Sequence, residues 1–110
     1  SGMLTSRLEQ IRAGAHEFAE LRLLNELRTG EGELRDDEAI EVERLLGSEG
    51  AGIHARLGLP PDSREEDVRR ALFAELSRWR QRAENPMSTR AVSEASRVLV
   101  RTCEGIYTRI

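Results

Sequence analysis

The sequence predicts an all-α protein: a small bundle of four to five helices that ends in an antiparallel helical hairpin. Three observations predict it. Apolar residues recur every three or four positions along four separate stretches, the period of one helix face. No stretch alternates apolar and polar residues over a useful length, as a half-buried strand does, and β-branched residues are few. Glycine and proline cluster mainly between the periodic stretches, where they punctuate the chain.

The first stretch runs from about Leu4 to Arg28. Leu4, Leu8, Ile11, Ala15, Phe18, Leu21 and Leu24 mark its apolar face, with Thr5 or Ser6 available to cap the start. Gly30 and Gly32 end it, because glycine costs helix stability and suits the position after the last turn. Ser1-Gly2-Met3 reads as a tag remnant, which would make the chain a piece of a longer protein.

The second helix starts at Asp36 or Asp37, whose carboxylates suit a helix N-terminus. Ala39, Ile40, Val42, Leu45 and Leu46 supply its apolar face, and Gly47, Gly50 and Gly52 interrupt it. A short helix follows over Ile53 to Leu57. Pro60-Pro61 stops it by Leu59, since the residue before a proline is pushed out of the helical region.

Asp62 or Ser63 is placed to cap a third long helix that runs to about Ala83. Its stripe is Val68, Ala71, Leu72, Leu76 and Trp79, and Asn85-Pro86 ends it. The last helix starts near Ser88 and carries Ala91, Val92, Ala95, Val98, Leu99, Thr102 and Ile106 along one side. Both stripes begin within a turn of the same short connection, so Leu72, Leu76 and Trp79 should pack on Val92, Ala95, Val98 and Leu99. Residues 4–50 then form an N-terminal helical arm, and residues 51–110 the remainder of a single domain.

Composition narrows the function classes. The 110 residues are 38% hydrophobic and 34% charged, enough apolar matter for one modest core and too much for a disordered tail. No apolar run approaches the ~18 residues that a membrane span needs, and no signal-peptide core follows the N-terminus. A cytoplasmic setting is the expectation. One cysteine, Cys103, cannot build a disulfide scaffold or a cysteine zinc site. All 17 basic residues are arginine, which points to codon usage in a GC-rich genome rather than to function. The net charge of -3 gives no global pull toward nucleic acid or an anionic membrane.

Chemistry-bearing residues are sparse. His16 neighbours Glu17 and Glu20, which would allow a pH-sensitive pair, but a solvated helix face is the reading adopted. His54 stands on another segment and suits packing or a surface place. Cys103 has no evident base and suits a small buried position. The glycines at 47, 50 and 52 do not form a phosphate loop, and the lysine such a loop uses is absent. No catalytic, cofactor or metal-binding residue is expected.

Arg69, Arg70, Arg78, Arg80 and Arg82 gather on the third long helix and could meet an acidic partner or phosphates. Glu65, Glu66, Asp67, Glu75 and Glu84 are interleaved three or four residues away, so pairing along the helix competes with that role. Leu23, Leu24 and Leu27 widen the apolar surface of the first helix beyond a single buried stripe. They mark it as a second partner-binding surface, unless the second helix folds back to cover them.

The stretch from Leu57 to Tyr107 resembles a J domain, the module by which co-chaperones stimulate seventy-kilodalton heat-shock chaperones. The residues that carry the likeness are Leu57-Gly58-Leu59-Pro60-Pro61-Asp62-Ser63-Arg64-Glu65-Glu66-Asp67-Val68-Arg69-Arg70-Ala71, leading into a basic amphipathic helix. Leu76 and Trp79 fall near that helix's core leucine and aromatic, Asn85-Pro86 resembles the loop end, and Ala95, Val98 and Ile106-Tyr107 resemble the third helix. The resemblance implies a helical hairpin within residues 51–110. The family's His-Pro-Asp tripeptide is missing: Arg80-Gln81-Arg82 follows Trp79 instead, so no chaperone-stimulating residue carries over.

The expectation is a non-catalytic protein–protein interaction module of a larger bacterial protein, binding a protein partner or a parent-protein domain, with a homodimer as one outcome. A helical stalk or regulatory segment of an NTPase, dynamin-like or a chaperone ATPase, is the alternative. A small helical DNA-binding protein comes third, against the interleaved acidic face and the negative charge.

Overall fold

The computed structural model describes the backbone of residues 2–110 and the side chains of residues 14–110. The described residues form five helices and no strand: α1 (Gly2–Thr29), α2 (Asp36–Leu45), α3 (Ile53–Arg56), α4 (Glu65–Glu84) and α5 (Arg90–Tyr107). The all-α bundle and its closing hairpin are therefore as expected. Among the described residues, no helix is long and apolar enough to cross a membrane.

The α4–α5 hairpin is the centre of the fold. Val68, Leu72, Leu76 and Trp79, spaced by four, four and three residues, form the buried face of α4. Leu99, Cys103 and Ile106 of α5 are fully buried against it, and Ala95 and Val98 pack at its edge. Ser96 and Thr102 are buried too, which hydropathy alone would not predict. Ser96 is accommodated because its hydroxyl donates back to Val92 O at 2.7 Å. Ala91, expected in the stripe, is exposed.

The connection is stitched by its own polar groups. Asn85 Oδ1 accepts from Met87 N at 2.9 Å, and Ser88 Oγ donates to Arg82 O at 2.8 Å, closing the last turn of α4. Thr89 caps α5 by accepting from Val92 N at 3.2 Å. Its hydroxyl also donates to Glu33 at 2.6 Å, which ties the α1–α2 linker to the hairpin.

Helix starts depart from expectation by a residue or two. Arg35 and Arg64 occupy the N-cap positions of α2 and α4 without a side-chain cap bond. Asp36, Asp37, Glu65 and Glu66 lie inside the first turns, where they meet the helix dipole as charges rather than as caps. α1 begins at Gly2, so Thr5 and Ser6 are interior to it, and Gly2 and Met3 of the expected tag remnant belong to the helix. Ser1 lies outside the described residues.

Two glycines are required by the backbone. Gly30 turns the chain out of α1 at φ 77°. Gly58 follows α3 at φ 70° with the Arg44 guanidinium packed on it, so that a Cβ there would meet Arg44 Cζ at 2.8 Å.

α2 folds back over the hairpin and α1. Val42 and Leu45 join Leu72, Leu76, Trp79 and Leu99 in one core cluster, and Leu23 of α1 completes it. Leu27, Leu34, Leu46, Ile53 and Leu57 pack around its edge. The inward face of α2 is Glu38, Val42 and Leu45, and Ile40, expected to be buried, points to water at 61% exposure.

Candidate functional site

The α2–α4 junction concentrates the charged groups. Glu38 is only 5% exposed, and three arginines answer it. Arg78 Nη2 bonds Glu38 Oε2 at 2.8 Å, Arg82 Nη2 pairs with the same oxygen at 2.5 Å, and Arg35 Nε stands 3.6 Å from Oε1. Burial works to raise the Glu38 pKa, but the bonds and charges of Arg78 and Arg82 outweigh it and hold the carboxyl below its ordinary range. Both guanidinium groups also lie over the Trp79 ring, at 4.9 and 5.2 Å from its centroid, so the fully buried indole organises the pair.

Beside them, Arg78 Nη1 bonds Glu41 Oε2 at 2.6 Å. The Trp79 indole Nε1 donates to Glu75 Oε2 at 2.9 Å. Hydrogen bonding to the Glu75 carboxyl first, then Arg78, hold the Glu41 carboxyl low against the effect of burial. Burial first, then the bond to Glu41, push Glu75 up to about 7.

The arginine cluster singled out in the sequence thus divides. Arg78 and Arg82, about a third exposed, are engaged within the fold by Glu38 and, for Arg78, Glu41. The acidic α2 that they clasp lies some 40 positions away in the chain. Arg69 pairs with Glu65 one turn earlier at 2.9 Å, as the interleaving suggested. Arg70 and Arg80 are exposed and have no ion pair among the described residues.

α1 presents two faces. Its inner face is His16, Ala19, Glu20, Leu23 and Leu27, a row at helical spacing against α5 and α2. Thr102 of α5 donates to Glu20 Oε2 at 2.6 Å. His16 Nε2 lies 3.2 Å from the Thr102 hydroxyl and 3.4 Å from Glu20. His16 is therefore half-buried in a polar hook between α1 and α5 rather than on a solvated face, and it pairs with Glu20, not with Glu17. Arg56 of α3 closes the hook from below, 4.0 Å from Glu20 and 2.8 Å from Leu45 O.

The outer face of α1 is apolar and bare. Phe18 is 67% exposed and Leu21 64%. They belong to the apolar face that the sequence marks along the first helix, and the structure turns it outward because the hook fixes the opposite face. The side chains of Leu4, Leu8 and Ile11, which continue that stripe, lie outside the described residues. Leu23 sits in the core with Val42 and Leu45 of α2, the alternative in which the second helix folds back over it. Leu27 packs at the core's edge, and Leu24 is half-buried beside Leu46.

Cys103 is buried among apolar groups, and burial pushes its thiol up to about 12, far from a reactive thiolate. His54 reaches only the Ser63 carbonyl, at 3.4 Å, beside a shallow groove floored by Ile53, Val68 and Ile110. Among the described residues, no three histidine, cysteine or carboxylate side chains are grouped to hold a metal.

No family model matches the chain, and no solved structure matches it. It is 36% identical over 99 residues to isoniazid-induced protein IniC of Mycobacterium tuberculosis strain CDC 1551 / Oshkosh, and equally to the protein of that name in strain ATCC 25618 / H37Rv. The match takes in 90% of this chain and 20% of each relative, so the chain spans about a fifth of the length of the curated relatives it matches.

Proposed function

We propose that the chain is a non-catalytic helical interaction module that works within a longer protein, with the outer face of α1 as its contact surface. The observation that carries this reading is the exposure of Phe18 and Leu21 on a helix whose other face is already occupied. Large aromatic and aliphatic side chains set side by side in water favour a partner that covers them. The length of the relatives, about five times the matched stretch, supports a place within a larger chain.

The bundle suits a docking role. The hairpin and α2 form the rigid part, and the hook sets the angle at which α1 leaves it. Arg70 and Arg80 are the members of the arginine cluster left to meet an acidic partner. The J-like likeness of residues 57–107 belongs to the same reading. α4 runs unbroken through Arg80-Gln81-Arg82, where that family carries its activating tripeptide. The chain should accordingly neither hydrolyse nucleotide nor stimulate the ATPase of a bacterial heat-shock chaperone. Dose-dependent stimulation in a coupled assay would overturn the non-catalytic reading.

Self-association tests the surface. Light scattering over a concentration series should show a dimer, and the double variant Phe18→Ser, Leu21→Ser should remain monomeric with unchanged helicity. A wild-type chain that stays strictly monomeric at high concentration would remove the second copy as the partner.

A further inference from the structure

Beyond the hook, α1 and α5 leave an open groove between them. The two helices run antiparallel: Thr102 bonds Glu20 at 2.6 Å, whereas Thr89, at the start of α5, bonds Glu33, just past the end of α1. The groove has an apolar floor of Ala19, Leu23, Ala95 and Val98, with the exposed Ala91 toward one end. Its rim is charged. Arg22 and Glu26 stand one turn apart on α1. Gly30 then turns the chain back, so that Glu31 N donates to Glu26 O at 3.0 Å and a second carboxylate reaches the same groove. Glu94, on the α5 side, is engaged by Arg90 at 3.2 Å.

Arg22, Glu26 and Glu31 have no ion pair among the described residues. An arginine placed four residues before a glutamate is the weaker order for pairing along a helix, so the two charges gain little from each other. Phe18, exposed, lies one turn before Arg22, which makes the groove continuous with the bare face of α1. A cation followed one turn later by carboxylates is self-complementary under a two-fold rotation. Turned end for end, each copy sets its cation on the other's carboxylates, and the contact is made twice.

We propose that the α1–α5 groove seats α1 of a second copy of this chain, antiparallel to its own, with Arg22 of each copy against the partner's Glu26 and the partner's Glu31. This rests on the reading of the outer face of α1 as the contact surface, and it adds the register and the ionic partners. With Arg22 opposite the partner's Glu26, Phe18 falls opposite the partner's Gly30, at the end of the groove where the partner's Ala91 leaves room for a ring. The floor covers the apolar rings and the rim selects the direction, since a parallel pair would set Arg22 against the partner's Arg22.

Charge exchange on the whole chain tests the register. Arg22→Glu faces carboxylates with a carboxylate at both contacts, and Glu26→Arg faces an arginine with an arginine. Each variant alone should dimerise about tenfold or more weakly than the wild type in sedimentation velocity, with circular dichroism unchanged. In an equimolar mixture one copy offers only carboxylates at positions 22 and 26 and the other only guanidinium groups, so opposite charges meet at both contacts. The mixture should recover wild-type affinity and give a one-to-one heterodimer in native mass spectrometry. A wild-type dimer that neither variant weakens, or a mixture no tighter than its components, overturns the register and leaves the Phe18–Leu21 surface standing. A strictly monomeric wild type overturns both the register and the second copy as partner. Should Glu26→Arg lose helicity, Glu31→Arg takes its place in the mixture with Arg22→Glu, and failure to form a heterodimer there counts equally against the proposal.

Discussion

Replacing Trp79 with alanine is expected to destabilise the chain by about 3–5 kcal/mol, the range for emptying a large aromatic from a packed core. Several losses coincide at this residue. The indole is fully buried between α4 and α5, so truncation opens a cavity that the rigid hairpin closes poorly. Its N–H bond to Glu75 disappears, leaving a half-buried carboxyl with one partner fewer. The ring face on which Arg78 and Arg82 rest is also gone, so the guanidinium groups that hold Glu38 lose their platform. Urea unfolding followed by circular dichroism measures the loss, and a drop below about 1 kcal/mol would mean that the residue is not the keystone of the hairpin. Trp79→Phe separates the contributions: it keeps most of the volume and the ring face but not the indole bond, and should recover more than half of the loss.

The same residues show how far the fold could be read from the sequence. The spacing of Leu72, Leu76 and Trp79 and the proline after Asn85 announce a helical hairpin, because local periodicity and local punctuation suffice for it. The glycines at 30, 47 and 50 likewise mark real breaks, each with a positive φ. What periodicity does not reveal is which of two competing faces a helix buries. In α1 the Phe18–Leu21 stripe is more apolar than the row His16, Glu20, Leu23, yet the second row is the one covered. Thr102 and Arg56, distant in sequence, satisfy its polar groups, and tertiary pairing outweighs hydropathy. In α2 the buried face begins with a glutamate for the same reason: Arg78 and Arg82 are waiting for it. A signal was present in that Glu38, Val42 and Leu45 share helical spacing, and that Arg78 and Arg82 flank a core tryptophan one turn apart. Without the partner helix in view, that pattern reads as an ordinary solvated charge run.

The clasp on Glu38 carries the second large effect, and it should be strongly non-additive. Changing Arg78 alone to methionine leaves Arg82 on the same carboxylate oxygen, and the reverse substitution leaves Arg78. Each guanidinium is about a third exposed, at 32% and 34%, so solvent screens part of its attraction. Each single variant should cost about 1 kcal/mol. The double variant removes both partners from a carboxylate with a side chain only 6% exposed, leaving Arg35, itself 76% exposed, at 3.6 Å. An uncompensated buried charge costs about 3–5 kcal/mol, more than the two single losses together. Acidity should reveal the cause. In the wild type Glu38 is held below its ordinary pKa, so its contribution is present above pH 4.5 and lost as pH falls through the lowered value. In the double variant burial acts unopposed and raises that pKa, so the sign reverses and stability should fall as pH rises. The gap between wild type and double variant is then widest at neutral pH and narrows toward pH 4. Adding Glu38→Leu to the double variant removes the stranded charge and should restore most of the stability, because an apolar replacement for a whole buried ion cluster is close to neutral. Equal, additive losses in urea unfolding at pH 7.5 and pH 5, with no rescue by Glu38→Leu, would show that the arginines contribute through packing alone and that Glu38 does not depend on them.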